Sequence, residues 1–112
     1  MDELNELELI LVDNLTIKYP SLKPHLPFLK VKERKLNKDS LIVNLIYSDF
    51  SGDFDDINAL FSNGENIEIK GLKDGLSYVV DVSNGEITSI EFNTYNEKWD
   101  GIFGDYKIVK PE

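Results

Sequence analysis

The stretch that decides the fold is SYVVDVSNGEITSIEFN, residues 77–93. Two segments rich in β-branched and aromatic residues, 77–82 and 86–93, flank Asn84-Gly85. This dipeptide tolerates the positive φ angles of a type I′ turn better than other pairs, so the stretch predicts an antiparallel β-hairpin. A two-residue loop predicts three cross-strand pairs: Val82 with Ile87, Val80 with Ser89, and Tyr78 with Glu91.

Both faces of the predicted hairpin are partly apolar. One face carries Val82 and Ile87, and the other carries Val79, Ile90 and Phe92. We therefore expect one face to pack on a helix while the other is covered or meets a partner.

Other strands are predicted on both sides of the hairpin. Residues 28–36 alternate, with Leu29 and Val31 opposite Lys30, Lys32 and Arg34, as in a lysine-guarded edge strand. Residues 41–48 are apolar on both faces and predict a central strand. Shorter strand patterns cover residues 66–70 and 105–109, whereas residues 57–61 fit a strand or a helical turn equally well.

The N-terminal segment, residues 2–18, predicts an amphipathic helix. Its apolar stripe is formed by Leu4, Leu7, Leu11, Val12 and Leu15. Leu9 lies off this stripe and is expected to be a singly exposed leucine. Pro20 ends the helix, and the proline-containing residues 20–27 connect it to the sheet.

These elements predict one α+β domain that spans residues 1–112. We expect the N-terminal helix to pack on a mainly antiparallel sheet of five or six strands, mostly in sequence order. Residues 49–64 are the least regular part, and their structure is left open.

Charge is distributed unevenly along the chain. The net charge is −9. Residues 1–38 contain six acidic and seven basic residues, net +1, whereas residues 39–112 contain fifteen and five, net −10. This balance argues against nucleic acid or an anionic membrane as partner, and it is compatible with a basic protein. The alternative is that the acidic residues serve only solubility.

Several features indicate a cytoplasmic protein. The chain has no cysteine, so no disulfide and no thiolate site can form. Its start is acidic, unlike a secretory signal, and its longest apolar run, Leu9 to Val12, is far too short for a membrane span.

No residue pattern predicts catalysis, a metal or a cofactor. His25 is the only histidine, and it is expected to be an exposed loop residue. The aspartates at positions 49, 53, 55 and 56 lack the ligand spacing of a calcium loop, and the glycines form no phosphate-binding motif. We therefore expect a protein that is not an enzyme.

A binding surface is the remaining candidate, in two groups of residues. The first is the acidic loop with Asp53, Asp55 and Asp56. The second mixes acids with large aromatics, the usual anchors of interfaces: Glu91, Tyr95, Glu97, Trp99 and Asp100. The alternatives are that Trp99 and Tyr95 cap the core and that the acids are only solvated.

Three features together resemble a known family: Gly71-Leu72-Lys73-Asp74-Gly75, the Asn84-Gly85 hairpin, and the run from Glu91 to Trp99. They are similar to small bacterial immunity proteins of polymorphic toxin and contact-dependent growth inhibition systems. The resemblance covers about a third of the chain and implies a cytoplasmic antidote that binds and blocks a cognate toxin domain. The alternative is a non-catalytic binding or regulatory module for a small ligand or another protein.

Overall fold

The computed structural model describes residues 2–111, which form one N-terminal helix packed on one face of an antiparallel sheet. The predicted α+β class is confirmed. Helix α1 spans Glu6–Lys18 and is followed by a 3₁₀ helix over Pro20–Phe28. Seven strands complete the fold: β1 (Leu29–Leu36), β2 (Ser40–Tyr47), β3 (Ala59–Phe61), β4 (Asn66–Ile69), β5 (Leu76–Ser83), β6 (Glu86–Thr94) and β7 (Tyr106–Val109).

Helix α1 begins at Glu6, later than the predicted start at residue 2, because Asn5 caps it. The Asn5 side chain accepts a hydrogen bond from the Glu8 N–H at 2.8 Å, and the Glu8 carboxylate accepts one from the Asn5 N–H at 2.8 Å. This reciprocal capping box fixes the first turn. The chain before it is extended, and Asp2 forms an antiparallel bridge with Val31 at the free edge of β1.

The strand order is β1-β2-β6-β5-β4-β7, and β3 pairs with β5 beside β4. The predicted central position of β2 is confirmed. The expected sequential order is only partly correct, because β2 pairs with β6 and β4 pairs with β7. The most apolar strands thereby become neighbours at the centre of the sheet. Residues 59–61, left open between strand and helical turn, form the short strand β3.

The 84–85 hairpin is confirmed at its turn and corrected beyond it. Val82 pairs with Ile87 as predicted, but Val80 pairs with Ile90 and Tyr78 pairs with Phe92. A β-bulge causes this shift, because Val82 pairs with Ile87 and Asp81 pairs with Ser89, which leaves Thr88 as an extra residue in β6. The buried side chains therefore share one face: Tyr78, Val80, Val82, Ile87, Ile90 and Phe92.

A second bulge in β1, between Val31 and Glu33, corrects the prediction for Arg34. Arg34 lies opposite the buried Val43, so its side chain is on the helix face of the sheet. There the guanidinium makes two hydrogen bonds with the fully buried Glu8 carboxylate, at 2.7 and 3.0 Å. This bidentate pair ties β1 to the first turn of α1.

The core lies between α1 and the sheet. Its large side chains with essentially no exposure come from the helices and from three strands: Leu7, Leu11, Leu15, Leu22, Ile67, Leu76, Ile87, Ile90 and Phe92. The opposite face of the sheet is therefore not part of this core.

Candidate partner-binding surface

The sheet face opposite α1 is partly exposed, and we call it the outer face. We define it by ten residues: Glu33, Lys35, Ile42, Asn44, Ile46, Leu60, Val79, Asp81, Ser89 and Glu91. Each is at least partly exposed. One face of the 77–93 hairpin packs on the helix, as expected, but Ile90 and Phe92 lie on that face and not with Val79 on the other, as predicted.

Glu91 lies at the centre of the outer face. It pairs with Ile42 on β2 and with Val79 on β5, and Lys35 follows beyond Ile42. Because cross-strand neighbours lie about 5 Å apart, this row places a half-buried glutamate between two apolar side chains.

The next row runs from β1 to β3 and ends at an exposed leucine. Asn44 pairs with Glu33 and with Ser89, Asp81 pairs with Ser89, and Leu60 pairs with Asp81. Leu60 is 73% exposed, and Ile46 at the opposite side of the face is 37% exposed. The outer face thus combines acids with apolar residues that have no cover among residues 2–111.

Aromatic residues hold the acidic loop, residues 49–56, against the body of the protein. The rings of Phe50 and Phe54 lie 4.7 and 5.5 Å from the His25 ring, and both rings also contact Tyr47. Such edge-to-face and tilted contacts between rings are favourable. The loop is therefore anchored although its aspartates point to solvent.

The acidic loop is also held against the hairpin turn, at Gly85. Its N–H donates to the Ile57 carbonyl at 2.9 Å, and the neighbouring Asn84 N–H donates to Asn58 Oδ1 at 3.0 Å. A Cβ at Gly85 would lie 2.0 Å from the Asp55 carbonyl oxygen, and its φ is +80°. Only glycine fits here, so the hairpin turn also fixes the backbone of the acidic loop.

His25 is buried, so the prediction of an exposed loop histidine is wrong. It is 3% exposed because the 3₁₀ helix turns it toward Tyr47, Phe50 and Phe54. The Tyr47 hydroxyl accepts from the Ile87 N–H at 3.0 Å and lies 2.8 Å from His25 Nδ1, to which it donates when the ring is neutral. Burial lowers the pKa of His25, opposed by the Asp55 carboxylate, and burial raises the pKa of Tyr47 to about 12.

At the other end of the sheet, Trp99 belongs to the core. It is 8% exposed, its ring lies 5.3 Å from Phe103, and its Nε1–H donates to the Ile102 carbonyl at 3.2 Å. The expectation that it could cap the core is confirmed. Tyr95, in contrast, is 48% exposed.

Glu97 holds two loops together. Its carboxylate accepts hydrogen bonds from the backbone N–H groups of Lys73 and Asp74, at 2.8 and 3.0 Å. These bonds lower the pKa of Glu97, since they stabilise its charged form. Asp100 likewise accepts from the Ile102 N–H at 3.0 Å. Both acids thus have structural partners within the chain.

The eight predicted site residues therefore do not form one patch. Asp53, Asp55 and Asp56 lie at the hairpin end of the sheet, and Glu91 lies on the outer face between the ends. The other four, Tyr95, Glu97, Trp99 and Asp100, follow β6 at the opposite end. The nine residues of β6 separate the two ends by about 26 Å.

Sequence reasoning missed Leu60 as a surface residue. Residues 57–61 carried no decisive periodicity, so the direction of this side chain was open. The other apolar residues of the outer face were detectable, because β2 is apolar on both faces through Ile42 and Ile46.

A hollow of about 660 Å³ lies at the edge formed by β4 and β7. Its lining includes Asn66, whose Oδ1 is buried and has no hydrogen-bond partner among residues 2–111. The three cations there, Lys70, Lys73 and Lys107, are matched by three acids, Glu68, Asp74 and Asp105. Glu68 and Lys107 are cross-strand neighbours on the side of the sheet opposite the buried Ile67 and Ile69, so this hollow is compatible with the small-ligand alternative.

Within residues 2–111, no group of three or more acidic or histidine side chains is arranged to hold a metal ion. No helix in the same range has the length and apolar character needed to cross a membrane. Comparisons of the chain with protein-family models, with curated proteins and with solved structures gave no match.

Proposed function

We propose that this chain is an immunity protein that binds a cognate basic toxin domain and neutralises it by stoichiometric inhibition. It acts by binding and not by catalysis, in the cytoplasm, with neither nucleic acid nor a membrane as its partner. The observation that carries the proposal is the outer face, where Glu91 is half-buried between apolar residues and the anchored acidic loop lies at one end. The resemblance of residues 71–99 to immunity proteins supports it independently.

The two parts of this surface have different roles. The apolar residues Ile42, Ile46, Val79 and Leu60 contribute affinity through the area that they bury. Glu91 contributes specificity, because a carboxylate enclosed in an interface requires a basic partner group. The exposed aspartates of the loop act at longer range and accelerate association with a positively charged protein.

A nuclease is the toxin class that fits best. Nucleases bind phosphate backbones and therefore carry basic clefts. An acidic inhibitor with a net charge of −9 competes for the same surface as the nucleic acid.

We expect the upstream neighbouring gene to encode a large secreted protein with a variable C-terminal toxin domain. The test uses that toxin domain as the binding partner. Binding is measured by titration calorimetry, and protection is measured by growth of cells that express the toxin. Wild-type protein should bind one-to-one and restore growth.

The variant Glu91→Lys tests the outer face. Its matched control is Asp105→Lys, which changes the charge by the same amount in the exposed loop before β7. We expect Glu91→Lys to weaken binding by about 2 kcal/mol or more, roughly 30-fold, and to abolish protection. The control should bind within about threefold of wild type, since it lies outside the proposed contact. Equal binding by both variants, in folded protein, would refute the outer face as the toxin-binding surface.

A further inference from the structure

The tetrapeptide Ser-Asn-Gly-Glu occurs twice in the chain, at residues 62–65 and at residues 83–86. In an Asn-Gly dipeptide the side-chain amide of asparagine is readily lost, because glycine has no Cβ to hinder the approach of its backbone nitrogen. The two copies have the same local sequence. Any difference in their reactivity therefore comes from the fold.

The reaction begins with attack by the backbone nitrogen of the glycine. That nitrogen gives up its proton to solvent and forms a bond with Cγ of the asparagine, and the side-chain nitrogen leaves as ammonia. Water then adds to one of the two carbonyl carbons of the cyclic imide. Opening at Cγ gives aspartate, and opening at the backbone carbonyl gives isoaspartate. The glycine nitrogen must therefore be accessible to solvent and free to move toward Cγ.

The copy at residues 83–86 lacks both the access and the freedom. Gly85 is buried, and its N–H donates to the Ile57 carbonyl at 2.9 Å. Asn84 lies in a tight turn whose two flanking residues pair with each other as the ends of β5 and β6. The Asp55 carbonyl oxygen fills the space beside Gly85, 2.0 Å from an ideal Cβ. The acidic loop thus shields the hairpin turn from this reaction.

The copy at residues 62–65 has both. It lies in the irregular link between β3 and β4, where residues 62–64 are exposed. The Gly64 N–H donates to Ser62 Oγ at 3.1 Å, and water can replace this exposed hydroxyl as the acceptor. Among residues 2–111, the nearest atom beyond the chain neighbours of Gly64 is Pro111 Cγ, 3.9 Å from an ideal Cβ. The backbone here therefore has the access and the space that the reaction needs.

We propose that Asn63 is a site of spontaneous hydrolytic deamidation in the folded protein, and that the acidic loop protects Asn84. The hydrogen bond from the Asn63 N–H to the Tyr78 hydroxyl, at 3.3 Å, precedes the bonds that rotate and need not break. Each conversion replaces a neutral amide by a carboxylate, so a form more acidic than the unmodified chain accumulates with time. The proposal is independent of the immunity function, since the reaction requires no partner protein.

Peptide mapping by mass spectrometry measures both sites in one sample of the full-length protein. Trypsin cleaves after Lys70 and Lys73, so the two sites fall on separate peptides. In folded protein at mildly alkaline pH, we expect Asn63 to convert at least about 30-fold faster than Asn84, because the two hydrogen bonds from residues 84–85 to residues 57–58 must open first. In protein unfolded by guanidinium chloride the two rates should become equal, since the tetrapeptides are identical.

Two results in folded protein would overturn the proposal: equal conversion of the two sites, or no conversion of Asn63 under conditions in which the pH and temperature are matched and the unfolded protein converts it. The matched variant is Asn63→Gln, because glutamine keeps the amide but its longer side chain forms a cyclic imide far more slowly. Anion-exchange chromatography should show the more acidic form growing in wild type and not in Asn63→Gln. An acidic form that grows equally in both proteins would contradict the assignment to Asn63.

Discussion

The loops at the two ends of the sheet use similar residues for opposite purposes. Both are acidic and aromatic. In residues 49–56 the aromatic rings contact His25 and Tyr47, and the aspartates remain exposed to solvent. In residues 95–104 Trp99 and Phe103 also face inward, but the carboxylates of Glu97 and Asp100 accept backbone hydrogen bonds. The comparison teaches that composition alone does not tell which acids have a structural role within the chain; the hydrogen bonds that each carboxylate accepts do.

Replacement of Trp99 should have the largest effect. Trp99→Ala removes a large ring from the core beside Phe103, and we expect the free energy of unfolding to fall by about 3–5 kcal/mol. Tyr95→Ala, four residues earlier and half-exposed, should change it by less than about 1 kcal/mol. Urea denaturation measures both. Similar values for the two variants would show that this loop is not divided into a buried and an exposed part.

Gly85→Ala should have the next largest effect, and it acts on the other end. The new methyl group would meet the Asp55 carbonyl oxygen at 2.0 Å in a backbone of positive φ. We expect destabilisation of about 2–3 kcal/mol, and displacement of the acidic loop.

Gly71→Ala is the matched control for this prediction. Gly71 also has positive φ, +97°, but a Cβ there would meet no atom within 4 Å. Gly71→Ala should lower the free energy of unfolding by only about 1 kcal/mol, which is the cost of placing alanine in a backbone of positive φ. Equal losses for the two variants in thermal unfolding would show that contact with the loop is unimportant.

The pattern of correct and wrong predictions has a physical basis. The sequence was sufficient for the helix, the hairpin turn and the central strand β2, because periodicity and turn chemistry are local. It was insufficient for the two bulges, which depend on how Arg34 reaches Glu8 and on how Ile87 and Ile90 both reach the core. The sequence does contain one signal of the bulge in β6. Ile87 and Ile90 are three residues apart, whereas a regular strand buries every second residue.

The candidate site was predictable only in part for the same reason. Exposed aspartates in a loop follow from composition. The burial of His25 and the structural role of Glu97 depend on long-range contacts, with Tyr47 and with the backbone of residues 73–74. No local pattern in the sequence encodes these contacts.

A pH titration of stability is expected to give a smaller effect and to report on the anchor of the acidic loop. Burial lowers the pKa of His25 below its ordinary value of 6.5 in the folded protein. As pH falls below about 6.5, the unfolded chain takes up a proton that the folded protein resists, so stability decreases. The slope should stay below that of one proton, about 1.4 kcal/mol per pH unit.

His25→Gln is the control for this titration. It removes the only side chain whose ordinary pKa lies between 5 and 8, so the stability difference between pH 7.5 and pH 5.5 should become smaller than in wild type. Chemical denaturation at the two pH values provides the measurement. An unchanged difference would mean that His25 does not resist protonation.

Charge reversal at the two ends should change stability least and should separate their roles in binding. Asp55→Lys with Asp56→Lys alters exposed aspartates, so we expect the free energy of unfolding to change by less than about 0.5 kcal/mol per site. Association with the basic toxin domain should nevertheless slow by about tenfold, with a weaker dependence on salt, because exposed charges near a contact steer the encounter. Asp39→Lys with Asp105→Lys makes the same change in charge at exposed positions of the opposite end and should slow association by no more than about threefold, through net charge alone. Stopped-flow measurements at two salt concentrations, with thermal midpoints recorded for every variant, give the comparison. If the two double variants associate at the same rate, the acidic loop has no directional role, and the steering comes from the net charge of the whole chain.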